Sequence, residues 1–160
     1  MPTTTQEATR LAPGDPAPDF DLPADDGNRY SKAGLLGTRY VLYFYPKDDT
    51  PGCTIEAQDF RDAFADLRDR GVLVLGVSPD PIPSHERFRN KYGLNFPLLS
   101  DPDFEAAKAF GAYGVKKRYG RESIGLIRST FVIGPDGRIE RAYYNVRAKG
   151  HVDRLKADLG

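Results

Sequence analysis

The only cysteine of the chain, Cys53, closes the segment Pro46-Lys47-Asp48-Asp49-Thr50-Pro51-Gly52-Cys53, which follows the apolar run Tyr40-Val41-Leu42-Tyr43-Phe44-Tyr45. A run of β-branched and aromatic residues suits a buried strand, and Pro46, with no amide hydrogen to donate, stops its ladder. Beyond the cysteine, Ala57, Phe60, Phe64 and Leu67 recur at helical spacing as far as Gly71. With Thr50 as N-cap, Pro51 takes the first helical position, where its missing N–H costs nothing, and Cys53 takes the third. Unpaired backbone N–H groups and the positive end of the helix dipole then surround the sulfur. The thiolate is the nucleophilic form, yet a free cysteine, with a pKa near ~8.5, is only about 3% thiolate at neutral pH. A helix start favours an anion by up to ~2 kcal/mol, so a fixed cation is wanted as well. Arg128, in Ile127-Arg128-Ser129-Thr130-Phe131-Val132-Ile133, sits in an alternating pattern that predicts a second strand able to pack beside the first. Spacing alone does not show that the two meet.

One turn back from Ala57 lies Cys53, so the thiol shares the core-facing stripe of its helix and a partly dry pocket is expected around it. Glu56 falls within side-chain reach of that turn and could orient an arginine, although an exposed helix glutamate is an equal alternative. Gln58, five residues on, points to roughly the opposite side. The plain reading of a lone cysteine is an inert, buried small hydrophobe. Proline and glycine at the helix mouth and threonine three residues before the sulfur weigh against it.

A chain of 160 residues fits one domain with a real core. Lys plus Arg equals Asp plus Glu at 23 each, so nothing calls for nucleic acid, an acidic membrane or a highly charged substrate. The basic cluster Lys116, Lys117, Arg118 and Arg121 reads as a solvated loop. A single cysteine excludes an internal disulfide, and no apolar run is long enough for a signal sequence or membrane span, which together favour the cytoplasm. Residues 1–10 are polar and aperiodic and read as a loose arm, with the folded domain over 11–160.

Element order predicts the fold. Phe20–Leu22 and Asn28–Ser31 flank a hairpin-like turn at Ala24–Gly27. The central strand and cysteine helix come next, followed by Val72–Ser78, an apolar run suited to a parallel strand buried on both faces. A helix from Ser84 to Tyr92, a short strand Phe96–Leu99 and a short helix Pro102–Phe110 follow. Arg128–Ile133 and Arg138–Asn145 are joined by the turn Gly134-Pro135-Asp136-Gly137, and Gly150–Leu159 is a final helix. This order describes an α/β, thioredoxin-like sandwich: a central mixed sheet flanked by helices, with an N-terminal β-hairpin extension.

These residues resemble a peroxiredoxin of the peroxiredoxin Q or bacterioferritin-comigratory-protein group, from about Leu11 to Leu159. Pro46, Thr50 and Cys53 match the family spacing Pro-x-x-x-Thr-x-x-Cys, Arg128 matches its later-strand arginine, and GDPAPDF, TPGCT followed by FRD, and FPLLSD match in order. The resemblance implies a thiol-dependent peroxidase in which Cys53 attacks a hydroperoxide and becomes a sulfenic acid. Thr50 would hydrogen-bond the peroxide, Arg128 would stabilise thiolate and transition state, and Pro46 would shield the sulfur. Gly52 and Glu56 would line the substrate site. No cofactor and no metal are expected. His85 and His151 match no catalytic position and are expected at the surface or in structural roles.

One departure bears on mechanism. Many members of the group carry a resolving cysteine five residues after the first, where this chain has Gln58. The sulfenic acid then needs an external thiol: thioredoxin, glutaredoxin or a small thiol, acting on a monomer or weak homodimer. A thiol–disulfide oxidoreductase is the first alternative, but Thr50 replaces the first cysteine of its motif. A redox-sensing or holdase-like binding module without turnover is the second.

Overall fold

The computed structural model describes residues 10–118 and 120–159, so the expected N-terminal arm falls, except for Arg10, outside the described residues. Two short antiparallel strands, β1 (Asp21–Pro23) and β2 (Arg29–Ser31), form the expected hairpin. A 3-10 turn at Ala33–Leu35 leads into β3 (Arg39–Phe44), α1 (Pro51–Asp69) and β4 (Val72–Ser78). Then come α2 (Ile82–Tyr92), β5 (Leu98–Ser100), α3 (Glu105–Ala109), β6 (Tyr113–Arg118) and β7 (Arg121–Leu126). The chain ends with β8 (Ser129–Ile133), β9 (Ile139–Tyr143) and α4 (His151–Leu159).

A five-stranded mixed sheet in the order β5-β4-β3-β8-β9 forms the centre. β3 lies parallel to β4 on one side and antiparallel to β8 on the other, with Phe44 opposite Ser129. Because strand side chains alternate, β3 feeds two cores. Tyr40, Leu42 and Phe44 pack with Leu75, Phe110, Phe131 and Ile133 on one face, whereas Val41, Tyr43 and Tyr45 pack with Phe60, Leu67, Phe88 and Leu155 on the other. The helices α1, α2 and α4 cover the second face, and the thiol belongs to that core. The result is the α/β, thioredoxin-like sandwich that the order of elements implies.

Several local expectations are corrected. The basic cluster is not a loop: Lys116, Lys117 and Arg118 belong to β6 and Arg121 to β7 of a hairpin paired from Tyr113 with Leu126 to Arg118 with Arg121. Glycines 114 and 125 and the run of charges obscure its alternation, while Gly120, at φ 76, permits its turn. The helix expected from Ser84 begins at Ile82, with Pro83 in its first turn, where a missing N–H is harmless. Arg128 lies one residue before β8, and that strand is buried throughout instead of alternating, because β3 and β9 flank it and both sheet faces are covered. His85 and His151 are buried, which removes the surface reading for both.

Candidate active site

The strand end, the loop 45–50 and the first turn of α1 position the sulfur. Thr50 has the extended backbone of an N-cap (φ −99, ψ 156), Pro51 opens the helix, and the Thr54 amide donates to the Thr50 carbonyl at 2.8 Å. Thr50 is the N-cap residue, as expected, but its hydroxyl makes no capping hydrogen bond. Asp49 takes a left-handed conformation (φ 58), and the hydroxyl donates back to the Lys47 carbonyl at 2.9 Å. No described residue donates to the Thr50 hydroxyl oxygen, which keeps its lone pairs for accepting. Pro46 is half-buried at the exit of β3, and Cys53 is buried with 1% exposure.

Arg128 reaches the sulfur across 75 residues of sequence: Nη2 lies 3.2 Å from Sγ and Nη1 lies 2.7 Å from Glu56 Oε1. The register that sets Ser129 opposite Phe44 brings the preceding arginine level with the loop after β3. Glu56 is wholly buried, so the exposed alternative is excluded. Burial pushes its carboxyl up to about 7 against the downward pull of Arg128, and its Oε2 has no hydrogen-bond partner among the described residues. Burial alone would lower the arginine, but Glu56 and Cys53 outweigh it and hold the guanidinium firmly charged. One cation thus bridges a thiol and a carboxyl that titrates near neutrality.

Gly52 is where the guanidinium passes. A Cβ there would lie 3.2 Å from Arg128 Nη2 and 3.8 Å from the Ala148 side chain, so any larger residue would push on the arginine. The structure therefore brings Cys53, Arg128, Glu56 and Gly52 into one contact group, with Thr50 and Pro46 on the adjoining loop. The Val146 amide donates to the Arg128 carbonyl at 3.0 Å, tying the segment after β9 to the same site. Beside that segment an open cavity of about 470 Å³ is lined by Arg147, Lys149, His151 and Arg154, among others. Burial, with Arg154 and Arg128 nearby, lowers His151 to about 4, and its Nε2 pairs with Thr130 Oγ1 at 2.8 Å.

The roles of Asp48 and Asp80 escape the sequence reading. Asp48, in the cysteine loop, accepts at Oδ1 from the Tyr45 hydroxyl (2.6 Å) and at Oδ2 from Ser84 Oγ (2.8 Å), with His85 Nδ1 at 2.7 Å. The Asp48 amide donates to Asp80 Oδ2 at 2.7 Å, which also accepts from Ser78 Oγ at 2.8 Å. Asp48, Asp80 and His85 offer ligand atoms within 4.8 Å of one another. These atoms already face protein partners, so the cluster is a hydrogen-bond network and not a metal centre. The nearest sequence signal was the pair Ser84-His85 at a helix start, too weak to locate a partner 37 residues away.

The family model described as the AhpC/TSA family matches residues 13–142. Peroxiredoxin Bcp of Bacillus subtilis is 42% identical over 139 residues, covering 87% of this chain and 88% of its own. Peroxiredoxin Bcp of Escherichia coli is 41% identical over 143 residues, covering 89% and 92%. Among solved structures, the bacterioferritin comigratory protein of Xanthomonas campestris, studied for alkyl peroxide reduction, superposes with a TM-score of 0.82 at 38% identity, over 88% of this chain and 89% of that one.

Proposed function

Because the chain belongs to the AhpC/TSA family as a thiol-dependent peroxidase of the peroxiredoxin Bcp kind, we propose that Cys53 is its peroxide-reducing residue, working by a one-cysteine mechanism. The observation that carries this reading is Arg128 Nη2 at 3.2 Å from the sulfur. The thiolate attacks the distal oxygen of a hydroperoxide. The S–O bond forms as the O–O bond breaks, and the leaving alkoxide or hydroxide takes up a proton, giving a sulfenic acid and an alcohol or water. Arg128 stabilises the thiolate and the negative charge spreading over the breaking bond. The Thr50 hydroxyl, its hydrogen committed to Lys47, accepts the O–H of the peroxide through its free lone pairs. Pro46 screens the sulfur, Gly52 leaves room for the guanidinium, and Glu56 holds the second arm of Arg128.

The sulfenic acid is then reduced from outside, since Cys53 is the single cysteine of the sequence. An incoming thiolate attacks the sulfenic sulfur, water leaves with one added proton, and a second thiol releases Cys53 and a disulfide. Thioredoxin, glutaredoxin or a small thiol all fit this step. Arg147, Lys149 and Arg154 line the neighbouring cavity and form no ion pair among the described residues, which supports an anionic small thiol. Residues 11–160 act as one domain with 1–10 as an arm, in a monomer or weak homodimer. The cytoplasm suits a reducible sulfenic acid, and no described helix is long and apolar enough to cross a membrane.

The test is steady-state consumption of hydrogen peroxide and an alkyl hydroperoxide with thioredoxin, glutaredoxin, 3-mercaptopropionate (anionic) and cysteamine (cationic), rates being compared per thiolate. Sustained turnover with an added thiol supports the enzyme. Oxidation of Cys53 without turnover under every thiol supply identifies a sensing or binding module instead.

A further inference from the structure

His85 lies on α2, wholly buried, with Nδ1 at 2.7 Å from Asp48 Oδ2 and Nε2 at 2.9 Å from the Leu99 carbonyl. A neutral imidazole carries one N–H and one bare nitrogen, so it can satisfy only one of two acceptors. The Leu99 carbonyl can only accept. Asp48 Oδ2 already accepts from Ser84 Oγ and shares its carboxylate with the Tyr45 hydroxyl. Both ring nitrogens therefore face acceptors, and the arrangement is complete only when the ring is doubly protonated.

We propose that His85 is a buried imidazolium and a positioning residue for the peroxidatic loop: it clamps Asp48 to α2 and β5, and through Asp48 it holds the 45–50 segment that carries Pro46 and Thr50. The charged groups around the ring suit this state. Asp48 faces it from the loop, Asp80 from the turn after β4, and Asp25 from the β1–β2 turn, where Arg89 of α2 pairs with Asp25 at 3.5 Å. Tyr45 packs against the ring at 6.4 Å between centroids. Burial alone would drive the ring neutral, but the Asp48 bond and charge, aided by the Leu99 carbonyl and Asp80, leave its proton affinity raised. A second tie runs parallel, since Asp49 is held by Lys91 Nζ (2.8 Å) and the Tyr92 hydroxyl (2.7 Å) at the end of the same helix. The clamp is closed at neutral pH. It opens as pH rises through the folded-state value of His85, because the neutral ring must leave Asp48 or Leu99 without its donor.

The proposal rests on Cys53 being the residue that peroxide oxidises, and two measurements on the intact protein test it separately from that reading. The first is a long-range proton–nitrogen spectrum across about pH 5 to about pH 10, which spans the ordinary histidine and cysteine ranges. The chain has two histidines, so His151, neutral at pH 7, serves as the internal standard. Both His85 nitrogens should be protonated at pH 7 and titrate above the free-histidine value of about 6.5. The second is the stopped-flow rate of Cys53 oxidation by hydrogen peroxide over the same range. It should rise with thiolate formation and then decline with the midpoint read for His85. In His85→Gln, whose amide nitrogen can reach only one of the two acceptors, the rate should drop about tenfold at pH 7, equivalent to one charge-assisted hydrogen bond, and the alkaline decline should vanish. A bare His85 nitrogen at pH 7, whether the proton sits on Asp48 or is absent, overturns the proposal. So does an alkaline limb whose midpoint differs from the His85 titration, or a His85→Gln profile of unchanged shape. If His85→Gln does not fold, the two wild-type midpoints decide alone. Absence of any Cys53 oxidation by peroxide in the wild type refutes the underlying enzymatic reading instead.

Discussion

Replacing Arg128 by methionine keeps most of the side-chain volume and removes the charge at 3.2 Å from Sγ and the bond at 2.7 Å to Glu56. A hydrogen bond to a charged group contributes about 1.5–3 kcal/mol, and each 1.36 kcal/mol is tenfold in rate. Oxidation of Cys53 by peroxide should therefore slow about ten- to hundredfold, and alkylation by iodoacetamide at neutral pH should slow in parallel, since both need the thiolate. Stability should suffer far less. Removing one member of a buried ion pair ordinarily costs about 3–5 kcal/mol because the survivor is a bare buried charge. Glu56 already titrates at about 7 with the arginine present, so without it the carboxyl stays protonated at neutral pH at little cost. The loss in Tm should be small near neutral pH and widen as pH rises further, where the unfolded state gains from an ionised carboxylate. Single-turnover stopped-flow fluorescence gives the rate, and thermal melts across pH give the stability. An unchanged oxidation rate would falsify the assignment of Arg128 to thiolate and transition-state stabilisation. A large Tm loss that is independent of pH would show that Glu56 is not the group left behind.

Cys53→Ser should abolish peroxide reduction while keeping the native fold by circular dichroism; more than about a tenth of wild-type activity rules out the nucleophile, because a serine hydroxyl is scarcely ionised at neutral pH. Peroxide alone should produce a sulfenic acid that dimedone traps and that excess peroxide carries to sulfinic and sulfonic forms, read by mass spectrometry. Many turnovers without added thiol would contradict the one-cysteine mechanism. Gln58→Cys should form a 53–58 disulfide under peroxide only with loss of helical signal, because the two sulfurs face different sides of α1; a disulfide formed with the helix intact would refute this geometry. Glu56→Gln removes a carboxyl whose folded-state value is raised from 4.5 to about 7. The folded wild type binds the extra proton, so its stability falls as pH rises through that window. Chemical denaturation should show the variant gaining on the wild type over the same interval, and a constant difference refutes the burial argument.

How far the site was legible depends on the distance over which each contact is made. The strand, the proline that ends it and the proline–glycine opening of α1 are local features, and local propensity and capping rules place Cys53 in the first helical turn without knowledge of the rest. Glu56 sits three residues along the same helix, and its nearness to the sulfur was legible for that reason. Its burial was not, because a carboxylate is tolerated inside only where another element supplies a cation, and here that cation comes from the residue before β8. The thiol, its helix and the lack of a second cysteine are thus properties of the sequence itself. The approach of Arg128 was decided by the β3–β8 register, and the turning of the Thr50 hydroxyl toward Lys47 by the Asp49 backbone. The pairing of Asp48 with His85 was decided by the way α2 packs against the loop after β3. Periodicity says which face of an element is buried, but only the packed structure says which polar group from elsewhere arrives there to satisfy it.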